Sequence, residues 1–210
     1  GSGTLLAQFE IDPSAVDLYL AADEEYLDIA RRKGLVREIL PLAQMRPVIA
    51  VLAGNPLGIN TIDDLSRNDL RVAIANPDAA AIGRTTRSVL EQSGDWETLR
   101  SNVRVFKPTV NDLANDLKIG AVDAAVTWDA TVQQYPELDM VRVDIFQSAA
   151  KTISIGVAEK SSNSRGALAF ARFLASSDHG MTHFHEWGYQ PLPGEPYSSN
   201  PQLLLFAGTM

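Results

Sequence analysis

The 210-residue chain contains no cysteine, which excludes disulfide bonds, thiolate metal sites and cysteine nucleophiles. Long apolar runs are also missing. The longest candidate, residues 47–53 (PVIAVLA), is far shorter than the ~20 apolar residues that span a bilayer. Neither a G-x-S-x-G nucleophile elbow nor a glycine-rich phosphate loop is present. These absences lead us to expect that the protein is not an enzyme.

Positive charge is scarce as well. Lys and Arg total 18 against 26 for Asp and Glu, so the formal net charge is -8 and the sequence pI is near 4.8. No basic run or patch is visible, and nucleic-acid binding depends on one. The acidic composition still permits an anionic ligand, because amides at helix N-termini hold anions through partial charges.

The three histidines give weak support for a metal site. His179 and His183 share one face of a predicted helix, at a spacing that zinc sites use. Apart from His185, which falls on another face, and Glu186, no third ligand is properly spaced to complete the set. We therefore expect neither a metal nor a cofactor.

Short β-rich runs alternate with amphipathic helices along most of the chain. The predicted strands are residues 16–20, 46–53, 71–75, 103–106, 121–127, 140–143 and 152–157. The predicted helices are residues 22–33, 81–92, 96–101, 110–119, 165–176 and 179–187, with a short one starting at Thr61. This alternation is typical of the α/β class, with parallel sheets covered by helices on both faces.

Three segments share a layout in which a small or polar loop leads into a helix: residues 1–6, 75–84 and 108–112. In doubly wound sheets, ligands lie beyond the carboxyl ends of the strands, where helix N-termini converge. Several such N-termini directed at one cleft would form a site for a compact anion.

These segments are also where the chain resembles a known family. The stretches SGTL, VDLYLAADEEYLD, AIANPDAAAIGRTTRSVLEQSGDWETL, PTVNDLANDLKIGAVDAAVTW and RFLASSDHGMTHFHEWGYQP occur in that order and cover nearly all of residues 2–191. Together they resemble the periplasmic molybdate-binding proteins of bacterial ABC transporters.

The resemblance implies a type II periplasmic-binding-protein fold with two lobes, each a mostly parallel sheet flanked by helices. Lobe one would comprise residues 1–44 and 149–210, and lobe two residues 45–148. The implied function is capture of molybdate or tungstate outside the cytoplasm, in the periplasm, for import by a membrane-embedded ABC permease. The implied partners are the oxyanion and the permease, with the protein acting as a monomer.

The resemblance also implies the ligand contacts. Ser2, with Gly3 beside it, would donate its hydroxyl and amide, while Ile82 and Val110 would each donate an amide. The family usually has a tyrosine after the strand AVDAAVT, and this chain has Trp128 there, whose indole N–H is the available donor.

The family's first strand does not precede Ser2. The C-terminal LLLFAGTM looks like that strand, and its ligand serine would fall on Met210 or near Thr209. We therefore expect residues 202–206, after a proline-rich loop at 188–202, to supply the central strand of lobe one. The strand would act within its own chain or by exchange with a neighbouring copy.

Other interpretations remain open at this point. The chain could be a sensory or interaction module of the same fold, with an altered or lost anion site. Trp128 could be a core aromatic, and Arg84 and Arg87 solvated helix residues, although Arg84 could brace the cleft. A ligand that only accepts hydrogen bonds also requires the carboxylates of Asp78, Asp112 and Asp129 to point away from it.

Overall fold

The computed structural model describes residues 1–198. Its helices are α1 (Ser2–Ile11), α2 (Glu24–Arg32), α3 (Ala81–Ser93), α4 (Trp96–Asn102), α5 (Val110–Lys118), α6 (Asp129–Gln133), α7 (Ser164–Leu174) and α8 (Gly180–Glu186). Its strands are β1 (Leu18–Ala21), β2 (Val36–Met45), β3 (Pro47–Leu52), β4 (Val72–Ala75), β5 (Val103–Lys107), β6 (Ala124–Trp128), β7 (Leu138–Val141), β8 (Lys151–Ala158) and β9 (Gln190–Pro191). Short 3-10 turns occupy Pro13–Ala15, Asp63–Ser66 and Asp144–Phe146.

The strands form two sheets flanked by helices, which confirms the α/β class. The five-stranded sheet has the order β5-β4-β6-β3-β7, and the four-stranded sheet has the order β1-β8-β2-β9. Strands β5, β4 and β6 run parallel, whereas β3 is antiparallel to both of its neighbours. Every pairing described in the four-stranded sheet is antiparallel.

The expectation of a mostly parallel sheet in each lobe was therefore wrong for the four-stranded sheet. Strand β2 leaves this sheet towards the five-stranded one, and β8 returns from it. An outgoing and a returning strand that pair with each other must run in opposite directions. The expectation holds only for the β5-β4-β6 part of the other sheet, where helices connect the strands.

Strand β2 has no counterpart among the predicted strands. Its sequence, VREILPLAQM, does not alternate between polar and apolar residues, and its burial does not alternate either. The pairing of β2 with β8 shifts register twice, between Val36 and Glu38 and between Pro41 and Ala43. Each shift turns the following side chains to the other face, so the period of two that marks a strand is lost.

Local sequence explains the helix ends well. Asp23 caps α2, its carboxylate accepting a hydrogen bond from the Glu25 amide at 3.1 Å, and Arg31 and Arg32 occupy the last turn. Helix α3 ends at Gly94, whose φ of 88° is the left-handed conformation that glycine adopts without strain. These boundaries lie within two residues of the predicted ones.

Each sheet has its own apolar core. The core of the five-stranded lobe centres on residues of β3, β4 and β6, with Leu90, Leu113 and Phe146 packed from the surrounding segments. The four-stranded lobe buries Phe9, Tyr19 and other side chains between the sheet and helices α1 and α2. A smaller cluster lies under α7. Helices therefore cover the sheets and leave the strand ends available for a site.

The chain passes between the two sheets twice within residues 1–198, first between β2 and β3 and then between β7 and β8. At the first crossing, the Arg46 amide donates to the Asp129 carboxylate at 3.0 Å, and the Asp129 amide donates to the Arg46 carbonyl at 2.9 Å. The Arg46 guanidinium also donates to the Gln190 side chain in the four-stranded lobe. At the second crossing, Lys151 forms an ion pair with Asp23 at 3.3 Å.

After α8 the proline-rich segment follows the surface of the four-stranded lobe. The Leu192 amide donates to the Leu42 carbonyl, and the Tyr197 amide donates to the Asp178 carboxylate at 2.8 Å. The predicted strand at residues 202–206 and the predicted ligand residue Thr209 lie outside the described residues. Within residues 1–198, no helix combines the length and the apolar character needed to cross a membrane.

Candidate ligand-binding site

Ser2 lies at the start of α1, beside the end of β1. Its hydroxyl oxygen accepts a hydrogen bond from the Ala22 amide at 3.0 Å, and its carbonyl accepts one from the Tyr19 hydroxyl at 2.8 Å. Burial, with a smaller contribution from Tyr26, raises the pKa of Tyr19 above its usual value, so this phenol remains a neutral donor. Because the Ser2 oxygen acts as an acceptor towards Ala22, its own hydrogen is left to be donated elsewhere.

The first amides of α1 point away from the helix body and have no partner within it. No side chain caps this end. A Cβ placed on Gly3 would lie 3.2 Å from a ring carbon of Tyr26, so glycine lets the aromatic ring rest against the start of the helix. The N-terminus of α1 thus presents amides next to the Ser2 hydroxyl and the Tyr26 ring.

Helix α3 begins tightly against the end of β4. A Cβ on Gly83 would lie 2.4 Å from the Ala75 carbonyl oxygen and 2.7 Å from backbone atoms of Asn76. Only glycine permits this approach. Ile82 is buried at the same turn, and no side chain caps the helix, so the amide of Ile82 remains available.

Helix α5 starts from the same edge of the five-stranded sheet. Ala75 at the end of β4 pairs with Lys107 at the end of β5, and the Asn76 amide donates to the Lys107 carbonyl at 2.8 Å. The loops to α3 and α5 therefore leave side by side. The Thr109 hydroxyl accepts from the Asp112 amide at 3.2 Å, and the amide of Val110 keeps no partner within the helix.

The two lobes meet at the starts of α1 and α3. Ala22, which is bonded to Ser2, packs against the core of the five-stranded lobe, and Ala81 packs against the core of the four-stranded lobe. The Arg84 guanidinium carbon lies 4.7 Å from the centre of the Tyr26 ring. The starts of α1 (Ser2 and Gly3) and α3 (Ile82) therefore both lie near Tyr26, and Val110 begins α5 at the sheet edge from which α3 also leaves. That these groups share one ligand stays a prediction.

Arg84 is less exposed to solvent than a solvated helix residue would be. Its Nη2 atom is inaccessible to solvent and has no hydrogen-bond partner among the described residues. Arg87, one turn further along α3, is exposed and forms an ion pair with Glu91 at 2.7 Å. The solvated interpretation thus describes Arg87 and does not describe Arg84. The only sequence signal for the difference was the position of Arg84 in the first turn of the helix.

The structure favours the core interpretation of Trp128. The side chain is 5% exposed at the end of β6 and belongs to the apolar cluster of the five-stranded lobe. None of the hydrogen bonds within residues 1–198 involves its indole N–H. The preceding residue, Thr127, is fully buried, and its hydroxyl oxygen has no partner among the described residues.

The carboxylates near the predicted loops are engaged in other contacts or exposed. Asp112 accepts the Thr109 hydroxyl at 2.6 Å as part of the cap of α5. Asp129 is buried, and its carboxylate accepts the amides of Arg46 and Ala130 at 3.0 and 2.8 Å at the lobe crossing. Asp78 is exposed. None of these three carboxylates consequently serves as a hydrogen-bond acceptor for the donors of the candidate site.

The histidines make local contacts away from this cleft. His179 stacks on Phe173 with ring centres 4.7 Å apart, and His183 Nδ1 lies 3.1 Å from a Glu186 oxygen. Within residues 1–198, no three His, Asp or Glu side chains come together in a metal-binding arrangement.

Comparison with known proteins assigns the family. A family model described as "Bacterial extracellular solute-binding protein" matches residues 1–190 of the chain. The chain belongs to this family. A "Putative binding protein" of Haemophilus influenzae is 28% identical to this solute-binding protein over 195 residues, which cover 91% of this chain and 77% of the relative.

Solved structures share its fold. The periplasmic molybdate-binding protein of Azotobacter vinelandii superposes with a TM-score of 0.73 at 19% identity, covering 91% of this chain and 84% of that one. The sulfate-binding protein SubI of Mycobacterium tuberculosis superposes with a TM-score of 0.72 at 15% identity, covering 89% and 72%. At these identities the likeness establishes a periplasmic-binding-protein fold and does not identify the ligand.

Proposed function

We propose that this solute-binding protein captures a tetrahedral oxyanion, molybdate or tungstate, between its lobes outside the cytoplasm and delivers it to an ABC permease. The observation that carries the proposal is the meeting of the α1 and α3 N-termini across the cleft, marked by the contact of Arg84 with Tyr26. Two separate helix ends directed at one point suit a small anion. A molybdate-binding and a sulfate-binding protein share this fold, so the fold is compatible with a tetrahedral oxyanion as the ligand.

The available groups in the cleft are mainly hydrogen-bond donors. They include the Ser2 hydroxyl and the amides of Gly3, Ile82 and Val110. A dianion such as molybdate has only acceptor oxygens, and each hydrogen bond to a charged group contributes about 1.5–3 kcal/mol. Four or five such bonds from fixed groups would offset much of the dehydration of the anion, because the donors need little reorganisation.

The same donors disfavour phosphate. Near neutral pH much of the phosphate carries a proton, which requires an acceptor in the site. The carboxylates of Asp112 and Asp129 are committed to the α5 cap and to the lobe crossing. A protonated anion would leave its O–H without a partner in the cleft, and an unsatisfied buried polar group costs about 1–3 kcal/mol.

Isothermal titration of the purified protein with molybdate, tungstate, sulfate and phosphate tests the proposal. We expect submicromolar dissociation constants for molybdate and tungstate and weaker binding of phosphate. At a ligand concentration 100 times the dissociation constant, thermal unfolding should report a stabilisation of about 2.7 kcal/mol. A flat titration with both molybdate and tungstate would refute the proposal.

One observation favours a second candidate, a sensory or interaction module with an altered or lost anion site. Trp128 is packed into the core where the family resemblance implies a tyrosine hydroxyl, so one donor is replaced. Under this alternative the folded protein binds none of the four anions. The same titration, run beside a thermal unfolding curve that demonstrates a cooperative fold, separates the two candidates.

A further inference from the structure

Arg84 stands out among the cations near the cleft. Lys151 is paired with Asp23, and Arg87 is paired with Glu91. Arg84 forms no salt bridge with a described residue, and its Nη2 atom is shielded from solvent without a hydrogen-bond partner. Its one close side-chain contact given by the structure is the face of Tyr26, in the opposite lobe.

The Nη2 group of this half-buried guanidinium has lost its hydration without gaining a carboxylate. Burying an unpaired charge is unfavourable, and proteins usually compensate it with a counter-ion. The Tyr26 ring compensates only part of this cost, since a cation–π contact contributes about 0.5–2 kcal/mol. An acceptor that enters between the lobes would supply the missing partner.

We infer that the Nη2 group of Arg84 contacts the bound oxyanion directly and makes the cleft selective for dianions over monoanions. The inference rests on the proposed function. Arg84 lies two residues after Ile82 in the first turn of α3, and its guanidinium lies over the ring of Tyr26, whose edge rests near Gly3. A full positive charge is thus added to helix-end amides that carry only partial charges.

Charge selectivity follows from the electrostatics. The energy between the guanidinium and the ligand scales with the product of their charges, so a dianion gains about twice as much as a monoanion of the same size. Amide and hydroxyl donors also favour the dianion, but they are unchanged when Arg84 is replaced. The ratio of the two affinities therefore isolates the contribution of Arg84.

The test compares molybdate with perrhenate, a tetrahedral monoanion of nearly the same size, by isothermal titration. The variants are Arg84→Gln, Arg84→Met and the control Arg87→Gln, which removes an exposed cation from the same helix. For either Arg84 variant we expect molybdate affinity to fall about 100-fold and perrhenate affinity about 10-fold. Arg87→Gln should leave both affinities within twofold of the original protein.

Equal losses for both anions would assign Arg84 a positioning role and overturn the inference, as would unchanged affinities. Both results leave the proposed function intact, because the original protein still binds molybdate. If the original protein binds neither anion, the proposed function fails and the inference fails with it.

Discussion

The substitution Gly83→Ala tests whether the close approach of α3 to β4 builds the cleft. The added methyl would lie 2.4 Å from the Ala75 carbonyl oxygen, whereas ordinary contacts begin near 3.4 Å. The neighbouring atoms belong to the backbone of Ala75 and Asn76, so no flexible side chain can move aside. The first turn of α3 must therefore move away from the strand by about 1 Å.

Two opposing effects set the size of the change. Overpacking of this kind costs about 1–3 kcal/mol, while replacing glycine by alanine in a helix gains about 0.5–1 kcal/mol. We expect a net loss of about 1–2 kcal/mol in the free energy of unfolding. The Ile82 amide moves with the same turn, so a hydrogen bond to the ligand is stretched and oxyanion affinity should fall about tenfold or more.

Urea denaturation and isothermal titration with molybdate measure the two effects. Ser88→Ala, on the exposed face of the same helix, is the matched control and should change neither quantity appreciably. If Gly83→Ala is as stable as the original protein and binds molybdate equally well, then α3 does not depend on this contact. The placement of the Ile82 amide in the site would then be refuted.

Two further substitutions address single hydroxyl groups. Ser2→Ala removes the acceptor of the Ala22 amide and a donor to the ligand, so we expect a loss of about 0.5–1.5 kcal/mol in unfolding free energy and about tenfold or more in molybdate affinity. The control Thr4→Ala, at an exposed neighbouring position, should leave the affinity unchanged. An unaltered affinity in Ser2→Ala would exclude Ser2 from the site. Thr127→Val replaces a fully buried hydroxyl that has no partner among the described residues, so urea denaturation should show a stabilisation of about 1 kcal/mol, whereas a destabilised variant would contradict the absence of a partner.

Sequence patterns predicted the helices and most strands because their signals are local. Helix α3 was expected at residues 81–92 and occupies Ala81–Ser93, since a glycine ends it at Gly94. Strand β2 was missed because two register shifts remove its alternation. The direction of strand pairing in the four-stranded sheet was also missed, because it depends on how the chain returns from the other lobe.

The candidate site was likewise predicted only in part. The helix starts at Ser2 and Ile82 follow from loop composition and the family resemblance, and the structure confirms both helix starts. Their shared role in binding a ligand stays a prediction. The shielded Nη2 atom of Arg84 could not be predicted from the sequence, because the contact that distinguishes Arg84 from Arg87 is made with Tyr26 in the other lobe. The role of Trp128 was equally ambiguous from the sequence, because a residue at the end of a strand can belong either to the core or to a ligand site.

The reciprocal bonds between Arg46 and Asp129 have a mechanical consequence. The backbone of Arg46 is bound to the start of α6 through its amide and carbonyl, so this backbone should move with the five-stranded lobe, whereas its side chain reaches Gln190 of the other lobe. The flexible joint then falls at the Met45–Arg46 link and, on the return path, just before Lys151, which pairs with Met45. Two neighbouring pivots define one rotation axis, so the lobes should swing apart along a single path instead of twisting freely.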